Sequence, residues 1–186
     1  MSITHSNIQV YSHSRALENS VYSHSRALEN SINFSDFSCE NDQLTNYLLN
    51  TAQKDENENI GKIFLFVYKK KVIGFITLAM SQLGRFEHQR LSNLTTTRDY
   101  VPGLLIGHIG RHIEYKEKGI GTIMKDWVIK QALFLSKYTG CRIIILQAFD
   151  DNIVEIYKKW GFISVNDFEE SGRRKMFIDL LWLDNN

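Results

Sequence analysis

The sequence predicts an α/β protein in which helices pack on a mixed β-sheet. Three observations lead to this fold class. Short apolar runs rich in β-branched residues alternate with amphipathic segments, two of these runs (62–69 and 71–80) almost touch in sequence, and a third (142–149) carries an unbroken apolar stretch. The close pair is typical of a hairpin, and the unbroken stretch is typical of a strand that is buried on both faces.

The composition is that of an ordinary globular protein. The chain has 186 residues, of which 43 % are apolar and 23 % are charged, and its formal net charge is +1. This length suffices for one domain with a hydrophobic core, so we treat 1–186 as a single domain. A net charge near zero gives no overall attraction for nucleic acid, although it hides the presence of any local basic patch.

The apolar segments and the two cysteines indicate the cellular compartment of the protein. The N-terminus MSITHSNIQVYSH has no apolar signal-peptide core, and no apolar run approaches the length of a membrane span, which predicts a cytoplasmic protein without a membrane partner. Cys39 and Cys141 lie far apart and lack the spacing of a metal site or a redox pair. They predict free thiols in a reducing compartment and no bound metal.

A perfect tandem duplication lies near the N-terminus. The segment VYSHSRALENS occurs at 10–20 and again at 21–31. A solenoid needs a longer unit and more copies, so we interpret 10–31 as an in-frame duplication in which one copy is structurally redundant. With one copy removed, this region predicts a strand followed by a turn or a short helix.

The first half of the chain then predicts a helix and the hairpin. Leu44, Tyr47, Leu48 and Ala52 recur at helical spacing, which predicts a helix over 41–55. A polar run ends this helix, and the two strands of the hairpin follow it. The next segment, 81–103, is polar and irregular and ends near Pro102, the only proline. It fits either a mobile loop or a connection that contains a short helix.

The second half alternates strands and helices. In chain order it predicts a strand over 104–115, a helix over 120–137, the buried strand 142–149, a helix over 150–160, and two last strands, 161–166 and 175–183, joined by a polar hairpin. The first of these strands contains Gly107 and Gly110. A glycine inside a strand marks a bulge or a place where another group approaches the backbone closely.

The stretch EYKEKGIGTIMK at 114–125 resembles a phosphate-binding loop, because it places two glycines just before a helix. Unpaired N–H groups and the helix dipole make a helix start an anion site, and glycine lets the backbone reach a phosphate. The same pattern also serves tight turns, so it is a weak motif on its own.

Two nucleotide-binding motifs are excluded for this stretch. A Walker loop requires lysine and then serine or threonine after its last glycine, whereas Thr122 and Ile123 follow Gly121. A dinucleotide fingerprint requires a third glycine where Met124 stands. The pyrophosphate of coenzyme A is the third candidate ligand.

Two motifs at matching spacing resemble those of the GNAT superfamily of acetyl-CoA-dependent N-acetyltransferases. The stretch from Lys116 to Gly121 is similar to the family's [RQ]-x-x-G-x-[GA] loop, with lysine in the first position. The stretch YKKWGF from Tyr157 to Phe162 is similar to the family's Y-x-x-x-G-F, and it follows an acidic turn and a helix. Over about 34–180 the resemblance implies the GNAT fold, a splayed mixed sheet of about six or seven strands with flanking helices.

The resemblance implies acetyl-CoA as the cofactor and assigns residues to it. In the family the fourth strand splays from the fifth and its backbone binds the pantetheine, which here falls on Ile109, Gly110 and Arg111. The residues that match the pyrophosphate loop are Lys116, Glu117, Lys118, Gly119, Ile120, Gly121 and Thr122. Asn152 matches an amide that often reaches the cofactor, although Asp150 holds the position that this amide usually has.

By the same resemblance, Tyr157 is the catalytic residue. Its phenol protonates or hydrogen-bonds the departing thiolate of coenzyme A; a packing role is the alternative. The implied mechanism is direct attack of an amine on the thioester, without an acyl-enzyme. Candidates for a base that accepts the amine proton are His108, His112 and Glu114. An acceptor amine of low pKa needs no such base.

The N-terminal half resembles a subgroup, the toxin-type GNATs, which acetylate the amino group of aminoacyl-tRNA and pair with a DNA-binding antitoxin. The matching residues are Phe37, Cys39, Leu44, Tyr47, Leu48 and the stretch 74–78. The chain departs from the subgroup at Glu40, where glycine is expected, and at His108, where an arginine is frequent.

The subgroup implies aminoacyl-tRNA as the acceptor, whose α-amine has a depressed pKa and suits a site without an obvious base. Basic residues available to RNA phosphates lie at 69–71, 85, 90, 98 and 173–175. Two alternatives stay open, an N-acetyltransferase for a small-molecule or protein amine and a non-catalytic CoA-binding module. The oligomeric state is undecided, with a homodimer among the alternatives.

Overall fold

The computed structural model describes residues 3–12, 35–165 and 172–183. Its strands are β1 (Gln9–Ser12), β2 (Lys62–Tyr68), β3 (Lys71–Gly84), β4 (Tyr100–Arg111), β5 (Ile143–Ala148), β6 (Ile163–Ser164) and β7 (Arg174–Asp179). Its α-helices are α1 (Asp42–Asn46), α2 (Ala52–Asn57), α3 (Gln89–Ser92), α4 (Ile120–Leu135), α5 (Asp151–Lys159) and α6 (Leu180–Leu183). The seven strands of the described residues form a mixed sheet in the order β1-β2-β3-β4-β5-β7-β6.

The chain divides into two compact units. The first unit consists of 1–78 and 107–124, and the second unit consists of 79–106 and 125–186. The single domain over 1–186 stays a prediction. The duplication lies outside the described residues except for 10–12, which belong to β1.

In the first unit β1 pairs with β2 and β2 pairs with β3, both antiparallel. Lys69 and Lys70 form the turn between β2 and β3, with φ angles of 48° and 65°. A two-residue turn with both φ angles positive matches the twist of the flanking strands. The predicted hairpin is confirmed, although β3 continues past the predicted 71–80. There Leu83 is buried and Gln82 is exposed, which is the alternation of a half-buried strand.

The helix predicted over 41–55 is present but interrupted. Asn41 caps its start, because its side chain accepts a hydrogen bond from the Gln43 N–H at 2.9 Å. A π-helical turn, Tyr47–Thr51, separates α1 from α2. The buried face packs into the core of the first unit, which contains Phe37, Cys39, Leu48, Ala52, Ile63, Leu65, Val67, Val72 and Phe75.

In the second unit β5 runs parallel to β4 and antiparallel to β7, and β7 pairs with β6. One face of β5 and β7 packs in a cluster of Leu83, Leu91, Val101, Ile143, Ile145, Val165 and Phe177. On the other face, a small apolar space is lined by Ile106, Val128, Ile144, Trp160, Phe162 and Ile178. β5 is therefore buried on both faces, as its apolar run predicts.

The connection over 81–103 is more regular than predicted. It contains the end of β3, a 3₁₀ turn at Arg85–Glu87, α3 and the start of β4. Arg85 holds it together, because its Nη1 donates to the Leu94 and Thr96 carbonyls at 3.4 and 2.7 Å. Of the two alternatives, the connection with a short helix is correct. The strand predicted over 104–115 starts earlier, at Tyr100, and gives way after Arg111 to a 3₁₀ turn, Ile113–Tyr115.

The predicted C-terminal strands are too long. β6 comprises two residues, and the segment predicted as the strand 175–183 becomes the helix α6 after Asp179. Asp179 is 3 % exposed and binds the Arg142 guanidinium at 2.7 and 2.8 Å. Its carboxylate also accepts the Leu181 N–H at 3.1 Å. It thereby satisfies a free N–H at the helix start, which ends the strand.

Candidate functional site

Ile109, Gly110 and Arg111 are the last three residues of β4 and lie in the first unit. A Cβ on Gly110 would overlap the Phe75 ring, and a Cβ on Gly107 would lie 2.8 Å from the Thr77 hydroxyl. The glycines predicted a close approach to this strand. Side chains of β3 make that approach, so packing alone accounts for both glycines.

The phosphate loop, 116–122, follows the 3₁₀ turn after β4 and runs into the start of α4. Gly119 has a φ angle of 76°, and a Cβ there would meet no atom within 4 Å, so backbone conformation requires the glycine. Glu117 adopts a φ angle of 60° as a non-glycine residue, at a cost of roughly 1 kcal/mol. Lys118 lies 4.9 Å from the centroid of the Tyr115 ring. The Ile120 side chain is fully buried, so only its backbone is available to a ligand.

The start of α4 presents unpaired backbone N–H groups. The Ile123 N–H donates to the Gly119 carbonyl at 3.2 Å. In contrast, the N–H groups of Gly119, Ile120, Gly121 and Thr122 make no backbone hydrogen bond to any residue that the structure describes. These groups are the free donors of a 16-residue helix, and together with its dipole they favour an anion.

Two basic side chains, Arg111 and Lys116, accompany the loop, and both contact Glu40. Arg111 Nη2 and Lys116 Nζ lie 3.0 and 2.5 Å from the two carboxylate oxygens of Glu40. The hydrogen bond from Lys116 is the main cause that lowers the pKa of Glu40. The other terminal nitrogen of Arg111, Nη1, is buried and has no hydrogen-bond partner within the described ranges. The Arg111 guanidinium, a lysine and a row of free N–H groups are donors of the chemical types that suit the phosphates of coenzyme A.

Tyr157 lies in α5 of the second unit. It is 9 % exposed, and its ring centroid lies 5.4 Å from that of Trp160 and 5.8 Å from that of Phe162. Burial raises the pKa of its phenol to about 12, with a further contribution from the charge of Asp150. The phenol therefore keeps its proton at physiological pH and is a hydrogen-bond donor.

Asp150 and Asn152 differ in their local roles. The Asp150 carboxylate accepts the Ile153 N–H at 2.9 Å, so this residue is the N-cap of α5. Asn152 is exposed in the first helical turn. The cofactor contact of Asn152 stays a prediction, and the aspartate in the family's amide position has a structural task.

Two of the three base candidates have structural roles in the first unit. His112 is 3 % exposed, its Nε2 lies 3.2 Å from the Asp36 carbonyl, and its Nδ1 accepts the Glu114 N–H at 3.2 Å. Burial lowers the pKa of His112, so the ring is neutral. Glu114 forms a 2.6 Å ion pair with Lys71, and this hydrogen bond lowers the pKa of Glu114.

The third candidate, His108, belongs to a small polar cluster. Its ring stacks on Tyr47 with centroids 3.7 Å apart and an interplanar angle of 17°. Its Nδ1 lies 3.3 Å from Thr77 Oγ1, which also accepts the His108 N–H at 2.7 Å. Tyr47 in turn donates to Asp55 at 2.9 Å. None of the three candidates therefore stands out as a base.

Glu40 and Thr77 are site neighbours that sequence reasoning missed. One signal marked Glu40, since it replaces the glycine of the toxin-type pattern. No sequence signal marks Thr77, because its contact with His108 depends on strand pairing.

Several of the basic residues considered for RNA are engaged within the protein. Arg174 lies 3.7 Å from Asp151, and Lys175 lies 3.0 Å from Glu87. Arg85 donates hydrogen bonds to two backbone carbonyls of the connection 81–103. These three side chains are thus used for structure, which reduces what they offer to a nucleic acid.

Two other arginines of the second unit stack on exposed aromatic rings. Arg90 lies 4.0 Å from the centroid of the Trp182 ring, and Arg173 lies 4.7 Å from that of the Phe149 ring. The rings are 47 % and 44 % exposed. A guanidinium on an aromatic face keeps its N–H groups available for phosphate, and exposed rings can stack on unpaired bases.

Clusters of metal-ligating side chains and long apolar helices are both absent from the described residues. Within 3–12, 35–165 and 172–183, no group of three or more His, Cys, Asp or Glu side chains could hold a metal ion. Cys39 and Cys141 are buried free thiols. Among the helices that the structure describes, none is long and apolar enough to cross a membrane.

Comparison with known proteins shows likeness in structure and not in sequence. No protein-family model and no curated protein matches the chain. The structure of AtaT complexed with acetyl-methionyl-tRNAfMet is 14 % identical, with a TM-score of 0.78 over 96 % of this chain and 98 % of that one. A KacT mutant with tyrosine replaced by phenylalanine is 16 % identical, with a TM-score of 0.78 over 96 % and 98 %. AtaTR bound with AcCoA is 13 % identical, with a TM-score of 0.74 over 97 % and 98 %.

These matches show the fold. The chain has the GNAT fold, with the mixed sheet and flanking helices that its sequence predicts. The similarity spans nearly the full length of both chains, so it includes both compact units.

Proposed function

We propose that this chain is an N-acetyltransferase that transfers the acetyl group of acetyl-CoA to the amino group of aminoacyl-tRNA. The observation that carries the proposal is the phosphate loop, where unpaired N–H groups, Arg111 and Lys116 collect donors for phosphate at a helix start. Support comes from the shared fold of AtaT, which has been solved with acetyl-methionyl-tRNAfMet and, as AtaTR, with AcCoA.

On the donor side, the chain supplies binding and orientation. Acetyl-CoA, when bound, provides an acetyl group that is activated as a thioester. The N–H groups of 119–122 and the side chains of Arg111 and Lys116 hold its phosphates. The backbone of 109–111 binds the pantetheine, and Asn152 adds a polar contact.

Tyr157 acts on the departing sulfur. Its pKa of about 12 lies well above the value of about 8.5 that is ordinary for a thiol. Complete proton transfer from the phenol to the thiolate is therefore unfavourable, and a hydrogen bond from the intact phenol is the favoured interaction. Such a bond stabilises charge that develops on sulfur while the new C–N bond forms and the C–S bond breaks.

The acceptor amine needs no side-chain base in this mechanism. An α-amino group next to an ester has a depressed pKa, so much of it is neutral near pH 7 and attacks directly. The proton that it loses passes to solvent. This agrees with the structural engagement of His112 and Glu114 and with the fixed position of His108.

Partners and location follow from the same proposal. The stacked pairs Arg90 with Trp182 and Arg173 with Phe149 would contact unpaired nucleotides of the tRNA. AtaT has been solved bound to the C-terminus of the antitoxin AtaR, and we extend the proposal to an antitoxin partner and a cytoplasmic location. A homodimer stays a prediction, which sedimentation at several concentrations would test.

The test combines the full chain with isotope-labelled acetyl-CoA and a charged tRNA pool. Nuclease digestion and mass spectrometry then detect acetylated aminoacyl-adenosine. Deacylated tRNA is the matched control, because it lacks the amine and keeps every phosphate. We expect labelled acetyl groups on the charged tRNA and none on the deacylated tRNA.

Parallel reactions with polyamines and peptides separate the alternatives. Label on these amines without label on charged tRNA would contradict the tRNA acceptor and favour a small-molecule or protein acetyltransferase. Binding of coenzyme A without transfer to any acceptor would indicate a non-catalytic module.

A further inference from the structure

Glu40 places one carboxylate on two basic side chains, Arg111 at the end of β4 and Lys116 at the start of the phosphate loop. Its two oxygens bind Arg111 and Lys116 at 3.0 and 2.5 Å. The side chains of Glu40, Arg111 and Lys116 are 48 %, 24 % and 56 % exposed. The pairs are therefore open to solvent, and a dissolved anion is able to compete for the same two cations.

Hydrogen bonds on both sides of Glu40 hold its backbone in place, and this fixes the side chain near Arg111 and Lys116. Before it, the Ser38 carbonyl accepts the Ile113 N–H at 2.8 Å, which joins this segment to the 3₁₀ turn that leads into the loop. The Cys39 N–H donates to Thr45 Oγ1 at 3.0 Å. After it, Asn41 caps α1. Glu40 thus approaches the loop from an anchored segment.

The charge at Glu40 persists under working conditions. The hydrogen bond from Lys116 and the charges of Lys116 and Arg111 lower the pKa of Glu40, while its burial opposes this only in part. The carboxylate is therefore ionised at neutral pH. The Nη1 of Arg111 is buried and has no hydrogen-bond partner among the described residues, so Glu40 binds Arg111 only through Nη2.

We propose that Glu40 is an internal anion that competes with the phosphates of coenzyme A for Arg111 and Lys116, and that it thereby sets the affinity for the cofactor. The inference rests on the proposed function, in particular on coenzyme A as the ligand of the loop. A phosphate that enters the loop either displaces the carboxylate or binds beside its negative charge. Both outcomes weaken binding relative to a chain that lacks this charge.

The expected effect is moderate, because exposed ion pairs are screened by water and salt. Removing the carboxylate is expected to tighten binding of coenzyme A about three- to tenfold at low salt. The gain shrinks as salt rises, since dissolved ions screen interactions between charges that are exposed to solvent. The subgroup's glycine at this position would give the tight-binding form, so Glu40→Gly is expected to behave as Glu40→Gln does.

The test is calorimetric titration of the full chain with coenzyme A at low and high sodium chloride. Glu40→Gln is the test variant, and Glu40→Asp keeps the charge with a shorter side chain. The matched control is Glu58→Gln, which removes one negative charge from the same unit, where Glu58 lies 3.9 Å from Lys54. Thermal unfolding verifies that all four proteins are folded.

We expect Glu40→Gln to bind more tightly at low salt, with Glu58→Gln and Glu40→Asp close to the wild type. Equal or weaker binding by Glu40→Gln would overturn the inference, because the carboxylate would then be neutral or supportive in binding. In that case binding by the wild type would leave the proposed function intact. Failure of every folded variant to bind coenzyme A would contradict the proposed function and, with it, the inference.

Discussion

The phosphate loop of the first unit and Tyr157 of the second unit are built in opposite ways. The loop presents backbone N–H groups and exposed charges, with Arg111 and Lys116 already paired to Glu40. Tyr157 is a neutral phenol whose pKa is raised mainly by burial, with Trp160 and Phe162 as ring neighbours. The properties of the loop therefore depend on electrostatic interactions in water, whereas those of Tyr157 depend on packing.

This difference predicts different sensitivities. Exposed charges are screened by salt and contribute little individually, so the loop is adjustable by single charge changes. A buried group is shielded from salt, and its properties change only when its packing or its own atoms change. Substitutions in the loop should therefore alter affinity in small steps, whereas loss of the Tyr157 hydroxyl should alter the rate in one large step.

The largest expected effect is that of Tyr157→Phe on the rate. Loss of the hydroxyl removes the hydrogen bond that we propose to the departing sulfur, so kcat should fall by about a hundredfold or more. The dissociation constant of coenzyme A should stay unchanged, since the ring and its packing remain. Stopped-time acetylation assays and calorimetry measure the two quantities. Tyr138→Phe is the control, because Tyr138 is 76 % exposed. A parallel loss of cofactor affinity would instead assign Tyr157 a packing role.

The second effect concerns stability at alkaline pH. The folded-state pKa of Tyr157 is raised from 10.0 to about 12. Its contribution to stability is thus fully present below pH 10 and is lost as the pH rises towards 12, by up to about 2–3 kcal/mol. Urea unfolding between pH 9 and 12 should show a steeper loss for the wild type than for Tyr157→Phe. Equal losses in both proteins would argue against the raised pKa.

A smaller effect is expected for Gly119→Val in the loop. A β-branched residue is strained at a φ angle of 76°, so the loop should rearrange and affinity for coenzyme A should fall about tenfold. Calorimetry measures this affinity. Gly61→Ala is the matched control, because a Cβ there would make only an ordinary 3.5 Å contact with the Leu78 carbonyl. Unchanged affinity for Gly119→Val would remove the loop from the cofactor site.

The smallest effect is a gain in stability at the β2–β3 turn. This turn has positive φ angles, as the phosphate loop does, but no ligand is proposed for it. Lys69 and Lys70 both have positive φ angles in the β2–β3 turn. Replacing them with Asn-Gly, the pair that this turn favours, should stabilise the protein by about 1 kcal/mol in urea unfolding. Cofactor affinity should not change. An accompanying change in affinity would show that the turn and the loop are coupled.

Local patterns predicted the elements whose residues are neighbours in sequence. The hairpin, the helices α4 and α5 and the buried strand β5 all follow from spacing of apolar residues within one segment. The ends of elements were predicted less well. β7 stops at Asp179, whose carboxylate accepts the Leu181 N–H at the start of α6 and also binds Arg142, a residue distant in sequence.

The candidate site shows the same contrast between features set by consecutive residues and features set by residues distant in sequence. The loop and Tyr157 follow from two short motifs, because a helix start and a helical tyrosine depend on a few consecutive residues. The glycines of β4 suggested room for a ligand, yet Phe75 and Thr77 occupy the space beside them. Pairing between strands decides which side chain lies over which backbone, and a single strand's sequence does not contain that information.

By itself, the sequence predicted most of the strands and helices in their order, the glycine-containing loop at the start of α4 and the tyrosine that follows it. Tertiary structure alone decided that Glu40 pairs with both Arg111 and Lys116, that His112 is a buried neutral residue, and that burial keeps the Tyr157 phenol protonated. The physical reason is that backbone conformation follows largely from neighbouring residues. Charge pairing and desolvation instead depend on residues that only folding brings together.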